Sequence, residues 1–176
     1  MIFEPTMLDG VFLVHLEPRE DERGFFARSF CGREFAAHGL PSGFVQCNIS
    51  YNLTRGTLRG MHFQREPRPE GKLVRCTMGA AQDIILDLRK HSPTYCRWIS
   101  AEITAANRLA VYIPPGLAHG FQTLVDDTEL LYQMTEYYVP DLSAGVRWDD
   151  PSFGIQWPIP DPITSRRDRS YPDFVK

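Results

Sequence analysis

The stretch TLRGMHFQ, residues 57–64, is the part of the sequence from which the fold is best predicted. Alternation along a strand places Gly60, His62 and Gln64 on one face and Arg59 on the other. A face that carries an imidazole, an amide and a glycine suits a cavity wall, because glycine leaves room for a ligand. The stretch therefore predicts a β-strand that borders a binding cavity, although a hydrogen-bonded core histidine would give the same pattern.

Short runs rich in β-branched, aromatic or aliphatic residues recur on both sides of this stretch, separated by Gly, Pro, Asn or Asp. The predicted strands are Val11–Leu16, Phe25–Phe30, Val45–Tyr51, Thr57–Phe63, Lys72–Thr77, Gln82–Leu88, Trp98–Ile103, Leu109–Ile113, Phe121–Leu124 and Glu129–Tyr138. About ten short strands with turns between them indicate an all-β sandwich or jelly roll. A short helix is predicted over Arg33–His38, ended by Gly39, and short helices and loops are predicted after Pro140.

Length and composition narrow the class of protein. A chain of 176 residues without repeats or linkers predicts a single domain over residues 1–176. The net charge of −3 gives no reason to expect nucleic acid or an anionic membrane as a partner. We see no secretory signal and no apolar run near the ~20 residues that a membrane span needs, so we expect a cytoplasmic protein.

His119 stands in IPPGLAHGF, residues 113–121, where the Pro-x-Gly-x-x-His spacing resembles the second motif of cupin barrels. The first cupin motif needs a His-x-His pair, but this chain offers only His62 and Gln64. Zinc and iron sites want three or more protein ligands, so no metal is predicted. A metal-dependent cupin oxygenase remains a competing hypothesis, which elemental analysis would test.

Several other residues could take part in chemistry. Tyr132 and Tyr138 lie an even number of positions apart on a predicted strand and are expected on the same face. A tyrosine there either packs and hydrogen-bonds or delivers a proton to a reacting carbon. Arg23, Arg59 and Lys72 stand on strands predicted to be buried on one side, which favours an anionic ligand such as a diphosphate over three surface salt bridges.

Taken together, these strings resemble the dTDP-4-dehydrorhamnose 3,5-epimerase family of nucleotide-sugar enzymes. The matching strings are DERGFF (21–26), QCNIS (46–50), GTLRGMHFQ (56–64), KLVR (72–75), DLR (87–89), IPPGLAHGF (113–121), the segment 132–140, WDDP (148–151), IQWP (155–158) and the segment 165–168. Their order and spacing hold from about residue 2 to residue 170.

The resemblance implies a cupin-type jelly roll, usually a homodimer, that epimerises a dTDP-4-keto-6-deoxyhexose at C3 and C5 without a cofactor or metal. It implies that His62 is the catalytic base, that Asp168 is its carboxylate partner, that Tyr132 is the acid on the other face of the sugar, and that Lys72 stabilises the enolate. The positions that it implies as substrate contacts are Arg23, Phe26, Gln46, Asn48, Arg59, His119 and Tyr138.

Arg28 departs from the family pattern, because relatives that read thymidine commonly carry Glu near the base. Arg28 is therefore expected to contact the nucleotide, but it leaves open CDP or GDP as the carrier, and a C3-only or C5-only epimerase as the activity. A non-catalytic sugar-nucleotide binding module is a further alternative. Such a module has no need for His62, Lys72, Tyr132 and Asp168 together, and this combination favours an enzyme.

Overall fold

In the computed structural model, which describes residues 1–175, the chain forms thirteen strands and three short helices. In chain order they are β1 (Ile2–Pro5), β2 (Phe12–His15), β3 (Arg19–Asp21), β4 (Gly24–Phe26), α1 (Gly32–Ala37), β5 (Gln46–Asn52), β6 (Leu58–Gln64), β7 (Lys72–Met78), β8 (Ala80–Asp87), β9 (Trp98–Thr104), β10 (Ala110–Ile113), β11 (Leu117–Thr123), β12 (Thr128–Met134), a 3-10 helix (Pro140–Leu142), β13 (Ser143–Gly145) and α2 (Arg166–Arg169). None of these helices is long and apolar enough to cross a membrane.

The strands form two facing antiparallel sheets. One has six strands in the order β1-β2-β10-β7-β12-β5, and the other has five in the order β13-β6-β11-β8-β9. A separate hairpin pairs β3 with β4. The all-β prediction with short C-terminal helices is confirmed as a cupin-type β-sandwich that is open rather than closed into a barrel.

Apolar side chains fill three layers. Val74 and Leu130 of the six-stranded sheet meet Ile85 and Phe121 of the other sheet in the central core. Outside the six-stranded sheet, α1 covers a second cluster with Phe35. The third cluster lies between the five-stranded sheet and the chain after β13. Each such side chain stabilises the fold by roughly 1.5–3 kcal/mol on full burial.

The predicted element limits need several corrections. Strands β1, β3 and β13 were not predicted, and only residues 25 and 26 of the predicted strand 25–30 lie in a strand, β4. The predicted strand 129–138 ends at Met134. The amide of Thr135 still donates to the carbonyl of Gly71, but the amides of Tyr137 and Tyr138 donate to side chains instead of a neighbouring strand. Helix α1 is confirmed, and Gly39 after it has a φ of 72°, which a residue with a side chain rarely adopts.

The alternation predicted along residues 57–64 is wrong at its centre. Residue pairing runs His119 to His62 but Phe121 to Arg59, so β6 carries one extra residue in a bulge at this point. The bulge shifts the phase of the strand and brings Arg59 to the cavity together with His62. Gly60 permits it, because a Cβ there would lie 2.6 Å from the Cα of Gly120.

The chain after residue 160 returns to the start of β6. The amide of Leu58 donates to the carbonyl of Ile163 at 2.9 Å, and the amide of Ile163 donates to Gly56 at 3.0 Å. Ser165 then caps α2 by accepting from the amide of Asp168. This return places Asp168 beside His62, 106 residues earlier in the chain.

Candidate active site

A cavity of about 740 Å³ opens between the two sheets and beneath the C-terminal segment. Strands β5, β7 and β12 form one wall, and β6 and β11 form the other. The predicted site residues that line this cavity are Gln46, Asn48, Arg59, His62, Lys72, His119, Tyr132, Tyr138 and Asp168. Nine positions spread over the sequence are thus brought to one cavity.

His62 and Asp168 form a hydrogen-bonded pair at its edge. The Nε2 of His62 donates to Oδ1 of Asp168 at 2.7 Å, and the Asp168 side chain is only 5% exposed. Burial raises the pKa of Asp168, but the hydrogen bond from His62 and further donors outweigh burial, and the pKa falls below its ordinary value. The carboxylate is therefore charged at neutral pH, and Nδ1 is the ring nitrogen that can take a proton.

Tyr132 lies on β12 in the opposite wall. Burial, reinforced by the negative charge of Asp83, raises the pKa of the Tyr132 phenol well above its ordinary value, although Arg59 opposes this. The phenol therefore keeps its proton at neutral pH. A protonated phenol facing a cavity can serve as a proton donor.

Lys72 forms an ion pair with Glu70, which was not among the predicted site residues. Its Nζ donates to Oε1 of Glu70 at 2.8 Å, and the side chains are 6% and 10% exposed. Glu70 also lines the cavity. Glu70 could have been predicted from its position two residues before Lys72, because side chains two apart in an extended chain lie on the same face.

A second histidine–carboxylate pair lies deeper in the molecule. The Nε2 of His119 donates to Oδ1 of Asp83 at 2.6 Å, with both side chains buried. The other oxygen of Asp83 has no hydrogen-bond partner among the described residues. His119 stands directly opposite His62 across the two strands, and its ring lies 5.8 Å from that of Tyr132. Asp83 could not be found from sequence, since it reads as one residue of an apolar strand.

Two guanidinium groups face the cavity without a carboxylate partner among residues 1–175. Arg59 donates to the Asn52 side chain at 2.8 Å. Arg167 donates to the Tyr171 hydroxyl at 3.0 Å and to Ser143 at 2.8 Å. Arg167 was not among the predicted site residues, although it directly precedes Asp168 in the matched string 165–168.

The side-chain amides of Gln46 and Gln64 form hydrogen bonds that hold the residues around the cavity in place. Gln46 donates to Asn48 at 3.2 Å and accepts from the amide of Tyr138 at the same distance. The prediction that Tyr132 and Tyr138 share a strand face is wrong, because the strand ends before Tyr138, yet both line the cavity. Gln64 uses its amide to hold backbone atoms of two loops, accepting from Val139 at 2.8 Å.

Arg23, Phe26 and Arg28 are not among the residues that line this cavity. Arg23 was predicted on a partly buried strand, but its side chain is 83% exposed at a hairpin turn, where it binds Asp21. Phe26 and Arg28 line a separate cavity of about 390 Å³, in which Arg28 pairs with Glu34 at 2.5 Å. Arg23 and Phe26 belong to the hairpin of β3 and β4, which pairs with neither sheet, and Arg28 follows it.

The four cysteines are free, and no cluster of three His, Cys, Asp or Glu side chains suited to a metal ion occurs within residues 1–175. The Nε2 atoms of His62 and His119 are each bonded to a carboxylate. An imidazole that is hydrogen-bonded to a carboxylate through one nitrogen is suited to proton transfer through the other.

The cupin-type sandwich brings histidine–carboxylate pairs and a protonated phenol to one cavity, an arrangement that can add protons to a bound molecule and remove them. The sequence model described as dTDP-4-dehydrorhamnose 3,5-epimerase matches residues 5–176, and the chain belongs to this family. The chain is 44% identical to the dTDP-4-dehydrorhamnose 3,5-epimerase of Methanothermobacter thermautotrophicus, over 96% of this chain and 92% of that protein.

Two further comparisons bear on the structure and the specificity. The crystal structure of the Bacillus anthracis dTDP-4-dehydrorhamnose 3,5-epimerase, with TDP and PPi bound, aligns with a TM-score of 0.95 at 39% identity, covering 98% of this chain and 99% of that one. A dTDP-4-dehydrorhamnose 3-epimerase from Streptomyces niveus is 37% identical over 96% of this chain and 82% of its own length. The family thus has relatives described as acting at two carbons and at one.

Proposed function

We propose that the protein epimerises a dTDP-linked 4-keto-6-deoxyhexose at C3 and C5 through an enolate. The C4 ketone acidifies the hydrogens on both neighbouring carbons, so inversion requires only a base, an acid and stabilisation of the developing oxyanion. The observation that carries the proposal is the meeting of the His62–Asp168 pair, Tyr132 and Lys72 at one cavity. Membership of the epimerase family supports it.

His62 acts as the base in this proposal. Its Nδ1 takes the proton from C3 or C5, and the electron pair of the broken C–H bond moves into the enolate. Asp168 fixes the tautomer from Nε2 and stabilises the imidazolium as it forms. A base placed in this way contributes about 10²–10⁴-fold in rate.

Tyr132 returns a proton to the opposite face of the same carbon. Its raised pKa suits this role, because the phenol stays protonated until a carbanion faces it. The ammonium of Lys72 stabilises the negative charge on the keto oxygen, a contribution of about 3–4 kcal/mol for a well-placed donor. His62 and Tyr132 then recover their starting states by proton exchange with water.

The diphosphate of the substrate would bind Arg59 and Arg167. Both guanidiniums reach the cavity and lack a carboxylate partner among the described residues, so an anion can meet them without breaking an ion pair. Gln46, Asn48, His119 and Tyr138 are the remaining proposed contacts. Neither a cofactor nor a metal is needed for this chemistry.

We further propose a homodimer. Ile49 and Tyr51 lie on the edge strand β5, and they are 64% and 43% exposed. If Arg23 and Phe26 contact the nucleotide, as the family resemblance implies, they must reach the cavity of a second copy, since they do not line their own. Analytical ultracentrifugation would test whether the protein is a dimer.

We also propose a cytoplasmic location, which the free thiols of the cysteines support.

A C3-only epimerase is the second candidate, because the Streptomyces niveus relative is described as a 3-epimerase. Incubation of the protein with dTDP-, CDP- and GDP-4-keto-6-deoxyglucose in D₂O, followed by NMR, separates these possibilities. The proposal predicts deuterium at both C3 and C5 of the dTDP sugar. Exchange at C3 alone would establish the second candidate, a preference for CDP or GDP would correct the nucleotide, and no exchange with any sugar would refute the proposal.

A further inference from the structure

Glu70 and Lys72 reach the cavity because Gly71 between them is held by its neighbours. The amide of Gly71 donates to the Thr135 hydroxyl at 2.7 Å, and the amide of Thr135 donates to the Gly71 carbonyl at 2.9 Å. A Cβ on Gly71 would point at Tyr112 and Thr135, away from the cavity. In an extended chain, the residues on either side of Gly71 therefore point together towards the cavity.

The Lys72 ammonium depends on this neighbour. With its side chain 6% exposed, it is largely removed from water, and a buried cation is costly unless an anion meets it. Besides Glu70, the only carboxylate that lines the cavity within the described residues is Asp168, and that group is bonded to His62. Glu70 is thus the counter-ion of Lys72.

We propose that Glu70 is a positioning residue for the reaction, holding Lys72 as an ammonium aimed at the substrate carbonyl. One N–H of Lys72 is bonded to Glu70. The other two remain for the keto oxygen, on which charge develops during enolate formation. This inference rests on the proposed function, in which Lys72 stabilises the enolate.

The test is a double-mutant cycle of Glu70→Gln with Lys72→Met, read as deuterium exchange into the 4-keto sugar at saturating substrate. Loss of an oxyanion donor costs roughly 10²–10³-fold in kcat, and a positioning residue is expected to cost less, about 10- to 100-fold. Glu70→Gln should therefore lower kcat by that factor, with KM changed less than about threefold. In the Lys72→Met background, it should have no further effect.

Two variants control the experiment. Glu70→Asp keeps the charge and should recover much of the lost kcat. Glu136→Gln removes a comparable carboxylate from an exposed pair with Arg68, bonded at 2.7 Å, and should leave kcat unchanged. Melting curves check that each variant is folded.

A readout that does not need activity is the ammonium signal of Lys72 in ¹⁵N-lysine NMR. The sequence has three lysines, Lys72, Lys90 and Lys176, so Lys72→Met assigns the signal. A protected Lys72 signal is expected in the wild type and should be lost in Glu70→Gln. Its persistence, or an equal kcat loss in both backgrounds, would overturn the inference. Absence of exchange by the wild-type enzyme would instead refute the proposed function itself.

Discussion

Asp168→Asn removes the negative charge beside His62 with almost no change in side-chain volume. The Oδ1 atom of Asp168 lies 2.7 Å from Nε2 of His62, in a side chain that is 5% exposed. At an effective dielectric constant of about 20, two unit charges about 4 Å apart attract by about 4 kcal/mol. The asparagine oxygen can still accept the hydrogen bond, so we expect part of this energy to be lost. The expected fall in kcat is about 10²–10³-fold.

The assay is deuterium exchange into the dTDP-4-keto sugar, followed by NMR at saturating substrate, with the affinity for dTDP measured by calorimetry. Binding of dTDP should be unchanged, since Asp168 acts on the proton transfer. Asp173→Asn is the matched control, because Asp173 lies on the same C-terminal segment, pairs with Arg147 and is 79% exposed. A folded Asp168→Asn enzyme with wild-type kcat would refute the assignment of Asp168 to the base.

Three further variants test other parts of the structure. Tyr132→Phe should abolish net inversion while exchange persists at one carbon, measured by NMR; loss of neither would reduce Tyr132 to a packing residue. Gly60→Ala should lower the free energy of unfolding by about 1–3 kcal/mol in urea, since its Cβ would lie 2.6 Å from the Cα of Gly120. Burial raises the pKa of Asp87, but hydrogen bonds from Arg89 and two hydroxyl groups lower it to about 2. Asp87 therefore stabilises the fold by about 2 kcal/mol above pH ~4, and this is lost as the pH falls towards 2. In Asp87→Asn, this part of the acid dependence of urea unfolding should disappear.

The layer architecture could be predicted because strand signals are local. Runs such as 72–77 and 98–103 carry their own β-branched and apolar patterns, and both form strands. Their ends were less predictable. From Tyr137 to Val139, the backbone N–H groups donate to the side chains of Glu136, Gln46 and Gln64, two of which are remote in sequence. No pattern within the segment itself reports such contacts.

Some cavity residues could likewise be predicted from their own strand, whereas others depend on contacts with remote parts of the chain. His62 and Lys72 could be selected from their strands, but the partnership of His62 with Asp168 came only from the family resemblance, because 106 residues separate them. Asp83 was missed, since its carboxylate meets His119 only once β8 and β11 pair. The position of Arg59 was misassigned because a bulge, invisible to strict alternation, shifts the phase of β6.

His62→Ala offers the most direct test of the proposal that an imidazole base removes the proton from the keto sugar. The folded variant and the wild-type enzyme are each incubated with dTDP-4-keto-6-deoxyglucose in D₂O. The signals of the sugar protons H3 and H5 are then followed by NMR. The wild type should lose both signals, whereas the variant should retain both over the same period. Disappearance of either signal at the wild-type rate in the variant would contradict the assignment of His62 as the base.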